Sequence, residues 1–398
     1  MEKRMLLGMS KAIITPPLGM ELAGYGQQRA SESVLDELEL RAFWFQEEAT
    51  GQAACLITAD LLGFSDTLTP AIRNELAERF GIRPEAILLA ASHTHSGPQT
   101  CENAARAGGP PDPDYIRQLR GWLVEAVAEA REKTQPVTLH VGRGKLSGYA
   151  INRRVLVDGV AVMAPNPEGK RDDEVTVLTC REEATGSVRA VLFHYTCHPT
   201  VMGDLRITGD YPGAARRHVE QAFEGACAGF LPGCFGDVRP DCTVMGRKAF
   251  RRGIPEDVAA FGKALGEEIV RVVNETTEPL TPRLFARAES VVLPLAMEPE
   301  QRILSLQRLD LAAELTLVAM GGEICVDYGD FIKAQRPPGG AIPIGYANGM
   351  IGYIASARLF PEGGYEPDTS HEVFDLPSPF QPSIEPILQE AIRAILQG

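Results

Sequence analysis

The sequence, 398 residues long, lacks any long hydrophobic run. Nothing in it approaches the roughly 20 consecutive apolar residues of a membrane-spanning helix, so stable membrane insertion is not expected. It also lacks a cysteine framework. Cys55, Cys101, Cys180, Cys197, Cys227, Cys234, Cys242 and Cys325 are scattered with no C-x-x-C pair, and read as reduced, buried small hydrophobes. Basic residues are in the minority: 39 Lys and Arg against 53 Asp and Glu leave a net charge of −14, which opposes phosphate backbones and anionic lipid surfaces. No nucleic-acid partner is expected. There is no internal repeat, low-complexity tract or linker, and no Walker loop, G-x-G-x-x-G, G-x-S-x-G or H-E-x-x-H motif. The opening MEKRMLLGMSKAIITPP has too short an apolar run before Lys11 for a signal-peptide core, so the expected location is cytoplasmic.

What remains is ordinary globular composition, 44% hydrophobic and 23% charged, long enough for one large α/β unit spanning 1–398. The apolar run 53–60, AACLITAD, suits a buried strand. A helix follows, with Thr69 as N-cap, Pro70 at the first helical position, Ile72, Leu76 and Phe80 on one face and Gly81 as stop. The run 86–92, AILLAAS, gives a second strand, and the strand–helix–strand unit implies parallel neighbours. Further helices are predicted over 114–133 and 255–273, and strands over 137–141, 175–179, 188–195, 290–295 and 314–319. The fold class expected is α/β, with mixed or largely parallel sheets flanked by helices. In such sheets the site lies beyond the carboxyl ends of the strands.

Polar residues at those strand ends carry the chemistry. Ser92-His93-Thr94-His95-Ser96-Gly97-Pro98 follows the second strand, and two histidines at i and i+2 on extended backbone point to one side, as a metal site requires. His194-Tyr195-Thr196-Cys197-His198-Pro199 ends another strand; His194 reads as a core histidine and His198 as the better ligand. Asp210, before a helix, is either a site carboxylate or a helix cap. Asp237 lies among small residues in GCFGDVRP, 233–240, and Glu323 follows a strand in MGGE, 320–323. Tyr346 and Tyr353 share the Gly-rich turn GYANGMIGY, 345–353. Metal-assisted hydrolysis is the chemistry these residues suit best.

Taken in order, these segments resemble the neutral/alkaline ceramidase family of zinc-dependent amidases. The resemblance runs through AGYG at 23–26, LELRA at 38–42, SHTHSGP at 92–98, NRR at 152–154, CHPT at 197–200, GDYPGAA at 209–215, GDVRP at 236–240, GGE at 321–323, ANGMIGYI at 347–354 and GGYE at 363–366. It implies a ceramidase-like catalytic domain holding one zinc through His93, His198, Glu323 and Tyr353, with His95 and Arg153 as polar helpers. The family's immunoglobulin-like C-terminal domain is not expected, because the chain ends 32 residues after Glu366 (398 − 366). One departure matters: the family's amidase box, GDVSPN, whose serine is catalytic in true ceramidases, here reads GDVRPD at 236–241. Arg239 cannot stand in for a hydroxyl.

The expectation is therefore a zinc-dependent hydrolase of an amide in a small or N-acylated substrate, with water on the metal as nucleophile and ceramide itself disfavoured. His95, Asp237 and Asp210 would manage the proton, while Arg153 and Arg239 bind or polarise the substrate. The alternative is a non-catalytic metal- or ligand-binding protein on the same scaffold. An amidohydrolase barrel fits less well, since His140, His218 and His371 do not supply its further strand-end ligands. The partner expected is a small molecule, and oligomeric state stays open.

Overall fold

The strand–helix–strand unit expected near the N-terminus forms as the apolar spacing requires. In a computed structural model describing residues 4–26, 29–246 and 248–397, strand Ala53–Ala59 leads into α1 (Leu68–Phe80) and then strand Ile87–Ala91, with the two strands parallel. The first three residues of the N-terminal segment discussed above lie outside the described residues. Gly81 closes α1 at φ 68°, its N–H bonded to Ala77 O. The start differs from expectation: Thr69 lies inside the helix, and the Ser65 hydroxyl accepts the Leu68 N–H at 2.9 Å.

The main sheet has eight strands in the order Cys227–Pro232, Val188–Tyr195, Glu174–Glu182, Gln135–Lys145, Met5–Ile13, Glu39–Glu47, Ala53–Ala59, Ile87–Ala91. Only the outermost pair at each edge is parallel, so the sheet is mixed rather than largely parallel. A second sheet, Pro282–Pro294, Gln301–Ala312, Leu315–Met320 and Ala341–Ile344, ends in another parallel pair. Apolar side chains of both sheets, including Phe43, Leu56, Leu192, Leu309 and Ile342, share one buried core.

Helices cover the outer faces. α1 and α2 (Pro113–Glu132) lay Ile72, Leu76, Leu119 and Leu123 over Trp44, Cys55 and Ile57 of the main sheet. α3 (Asp210–Ala222) and α4 (Pro255–Glu275) bury Val219, Phe261 and Leu265 with Val191 and Phe193. The second sheet is backed by α5 (Val326–Ala334) and α6 (Ile384–Gln397) through Ile332, Leu388 and Ile392. Among the described residues no helix is long and apolar enough to cross a membrane.

One buried ion pair locks α3 to the end of the Ala53–Ala59 strand. Arg216 grips Asp60 with two nitrogens, one at 2.6 Å, while Asp60 also accepts the Glu39 N–H at 3.0 Å. Both side chains are buried, so removing one strands the charge of the other. Arg216→Ala is expected to cost about 3–5 kcal/mol in urea denaturation; a loss below about 1 kcal/mol, typical of exposed pairs, contradicts this role.

Candidate metal centre

Four loops that leave strands of parallel pairs meet beyond the carboxyl ends of those strands, where a strand-end site belongs. His93 follows Ile87–Ala91, His198 follows Val188–Tyr195, Glu323 follows Leu315–Met320, and Tyr346 follows Ala341–Ile344. The segment carrying Tyr346 joins both edges of the main sheet: Gly345 N–H donates to Pro232 O at 3.0 Å, and Ala91 N–H to Tyr346 O at 3.1 Å. Glu323 and Tyr353 are register partners in a short parallel pair, Glu323–Ile324 with Tyr353–Ile354.

The imidazoles are oriented by backbone carbonyls. His93 Nδ1 lies 2.6 Å from Leu62 O, and His198 Nδ1 lies 2.6 Å from Phe235 O and 3.0 Å from Val238 O. Each contact places the ring proton on Nδ1 and turns an Nε2 lone pair inward. Glu323 Oε2 is 3.4 Å from His93 Nε2 and 3.2 Å from His198 Nε2, and His95 Nε2 is 3.2 Å from His93 Nε2. The ligand atoms of His93, His95 and His198 all lie within 4.8 Å of one another. Burial pushes His198 down to about 4, so its Nε2 carries no proton at neutral pH. Burial opposes the Glu323 charge, yet the facing imidazoles hold its carboxyl well below the usual range.

The Nε2 atoms of three imidazoles and the Glu323 carboxylate therefore converge on one buried space. Their spacing is informative. Charge-assisted N–H···O bonds run to about 2.7–2.9 Å, whereas ligands on a tetrahedral cation at about 2.1 Å sit about 3.4 Å apart. The observed 3.2–3.4 Å matches the second case. The residues present thus fit a small divalent cation.

Tyr353, expected from sequence as a further ligand, has its hydroxyl hydrogen-bonded to Glu323, and the Arg153 guanidinium lies 5.4 Å from its ring centre. Arg153 Nε donates to Glu366 at 2.7 Å, and Arg154 shares the same carboxylate. Tyr346, the competing tyrosine, packs its ring 4.3 Å from His93 and 4.2 Å from Phe235, and its buried hydroxyl has no hydrogen-bond partner among the described residues. His95 is less buried than the other two imidazoles, packs edge-on to Tyr25 at 4.7 Å, and its Nδ1 has no partner among the described residues. His194 lies buried in the core, apart from the converging imidazoles.

The backbone is strained where these groups meet. Non-glycine residues with left-handed φ include His93 (67°), Tyr346 (54°), Asn348 (59°) and Asp210 (55°), each costing about 1–3 kcal/mol. Gly24 is required by contact: at φ 99° a Cβ there would lie 2.3 Å from the His95 ring. Tyr25 and Glu366 lie within motifs read from the sequence but carried no assignment. Their roles depend on contacts to His95 and Arg153, which are distant in sequence.

Two expected catalytic carboxylates have other work. Asp237 accepts Val326 N–H at the start of α5 at 2.9 Å and Asn152 Nδ2 at 3.2 Å. Asp210 accepts Met202 N–H at 2.9 Å and Tyr211 N–H at 2.7 Å, bracing the loop after His198. Each of these oxygens accepts an N–H group of the scaffold, so both side chains brace loops around the centre. A cavity of about 820 Å³, lined by Arg73, Glu102, Arg302 and Asn348, includes none of the imidazoles.

Comparison with known proteins gives the same architecture. A crystal structure of neutral ceramidase from Pseudomonas aeruginosa superposes with TM-score 0.80 at 17% identity, covering 100% of this chain and 75% of that one. A structure described as ceramidase complexed with C2 gives TM-score 0.81, also at 17% identity and with the same coverage. The family model for the N-terminal part of neutral/alkaline non-lysosomal ceramidase matches residues 5–264.

Burial pushes Asp210 up to about 7 and Asp237 up to about 6. A carboxyl with a raised folded pKa binds its proton more tightly when folded, so its contribution is full below the unfolded value, about 3.9, and is lost as pH rises through the folded one. The melting-temperature advantage of wild type over Asp210→Asn is expected to shrink between about pH 4 and about pH 7, then level off. For Asp237→Asn the change is complete near about pH 6. Differences independent of pH contradict the burial argument.

Proposed function

Because this chain belongs to the neutral/alkaline non-lysosomal ceramidase family, we propose that it is a zinc-dependent hydrolase of an amide bond in a small or N-acylated substrate. The convergence of His93, His198 and Glu323 in one buried space carries this reading. Those residues, with Tyr353, would hold one zinc per chain. When bound, the ion supplies Lewis acidity, lowering the pKa of a water toward neutrality and polarising the amide carbonyl.

The remaining roles follow from the protein's own contacts. His93 and His198 are fixed by backbone carbonyls, as structural ligands are. His95 has no such anchor and is the more exposed ring, so it is free to take a proton and deliver it to the leaving amine. Burial and the neighbouring imidazoles hold His95 well below its usual range, keeping it neutral and able to accept. Arg153, neutralised by Glu366, orients Tyr353. A non-catalytic role draws support from Arg239 alone, where the family's serine would stand; the convergence of His93, His95 and His198 weighs against it.

Elemental analysis tests the reading. About one zinc per wild-type chain is expected, lost in His93→Ala and Glu323→Ala. His95→Ala should keep the metal while kcat on an N-acyl amide falls about 10²- to 10⁴-fold. Absence of zinc after reconstitution contradicts the hydrolase and favours the non-catalytic alternative.

A further inference from the structure

Arg239 projects from a short strand, Val238–Pro240, paired in register with Ile151 and flanked by the residues that support the metal centre. Its guanidinium lies 4.6 Å from the Phe250 ring centre. The carbonyl of the preceding residue, Val238, lies 3.0 Å from His198 Nδ1, so Arg239 stands beside the imidazole cluster.

Most of the charges around it are paired. Arg153 and Arg154 share Glu366, and Arg154 also meets Glu362. Arg29 spends its guanidinium on the carbonyls of Ala23, His95, Gly203 and Asp204. Glu323 faces histidines, while Asp210 and Asp237 take backbone N–H groups. Among the described residues Arg239 has no carboxylate partner, and its buried Nε has no acceptor. Removing a guanidinium from water without a partner is costly, and the cost is recovered when an anion arrives.

We infer that Arg239 is a specificity-determining residue that binds a carboxylate on the substrate, making the preferred substrates amides that carry one negative charge. The inference rests on the amide-hydrolase reading above and narrows its substrate class. A single planar guanidinium matches a carboxylate in both charge and shape. Hydrolysis breaks the amide C–N bond; the oxygen of water joins the acyl carbon, its proton goes to the departing nitrogen, and the substrate carboxylate is unchanged.

The test uses zinc-loaded protein and substrate pairs differing only in charge: N-hexanoylglycine against N-hexanoylglycinamide, with the carboxylate on the amine side, and N-hexylsuccinamate against its primary amide, with it on the acyl side. Wild type is expected to favour the charged member of one pair by about 10- to 100-fold in kcat/KM, mainly through KM. Arg239→Gln should abolish the preference and Arg239→Lys retain part of it, with unchanged melting temperatures. Calorimetric binding of 4-oxononanoate, a ketone that cannot be hydrolysed in this way, should weaken by a similar factor in Arg239→Gln. Hydrolysis of both members equally, or an equal loss on both in Arg239→Gln, overturns the carboxylate role and leaves the hydrolase standing. Binding that depends on Arg239 without hydrolysis of any probe supports the anion site and overturns the hydrolase.

Discussion

Two hydrogen bonds from imidazole to backbone decide how the centre behaves. By binding Nδ1 of His93 and His198, the carbonyls of Leu62 and Phe235 turn both Nε2 atoms toward Glu323. In a buried space such a cluster of ligand atoms suits a cation in its middle. Much of the surrounding structure serves to prevent the rings from relaxing away from one another.

That restraint comes from loops at the ends of two different sheets. His93 and Tyr346 sit in left-handed backbone, a conformation retained because the strands before them are fixed in buried ladders. Asp210 ties the loop after His198 to the start of α3, Arg216 ties α3 to Asp60, and Asp237 ties the strand bearing Arg239 to α5. Carboxylates that resemble catalytic groups in the sequence thus work as braces. Their oxygens are occupied by N–H groups, and the imidazoles and Glu323 line the centre.

Strands 53–60 and 86–92 were legible because each is an almost wholly apolar run that stops at a polar residue, and 188–195 because its β-branched and aromatic residues outweigh Arg189 and His194; His93 and His198 lie just past two of these runs. Strands Glu39–Glu47 and Gln301–Ala312 were not, because buried polar residues interrupt their patterns. Arg41 is compensated by Glu39 and Glu220, and Arg308 by Asp310, and the Arg41–Glu220 contact bridges residues far apart in sequence. The same difficulty explains Asp210 and Asp237: a buried carboxylate reads alike whether its partner is a metal, a substrate or a backbone amide. Arg239 was legible as an anomaly within its motif, but its lack of a partner became visible only with the neighbouring charges in place.

The central claim is that His93, His198 and Glu323 enclose a cation. Anomalous X-ray diffraction from crystals of zinc-loaded protein, recorded on both sides of the zinc edge, tests it most directly. The account predicts one strong peak at about 2.0–2.2 Å from His93 Nε2, His198 Nε2 and a Glu323 oxygen. A peak elsewhere, or none with the donors still 3.2–3.4 Å apart, would contradict it.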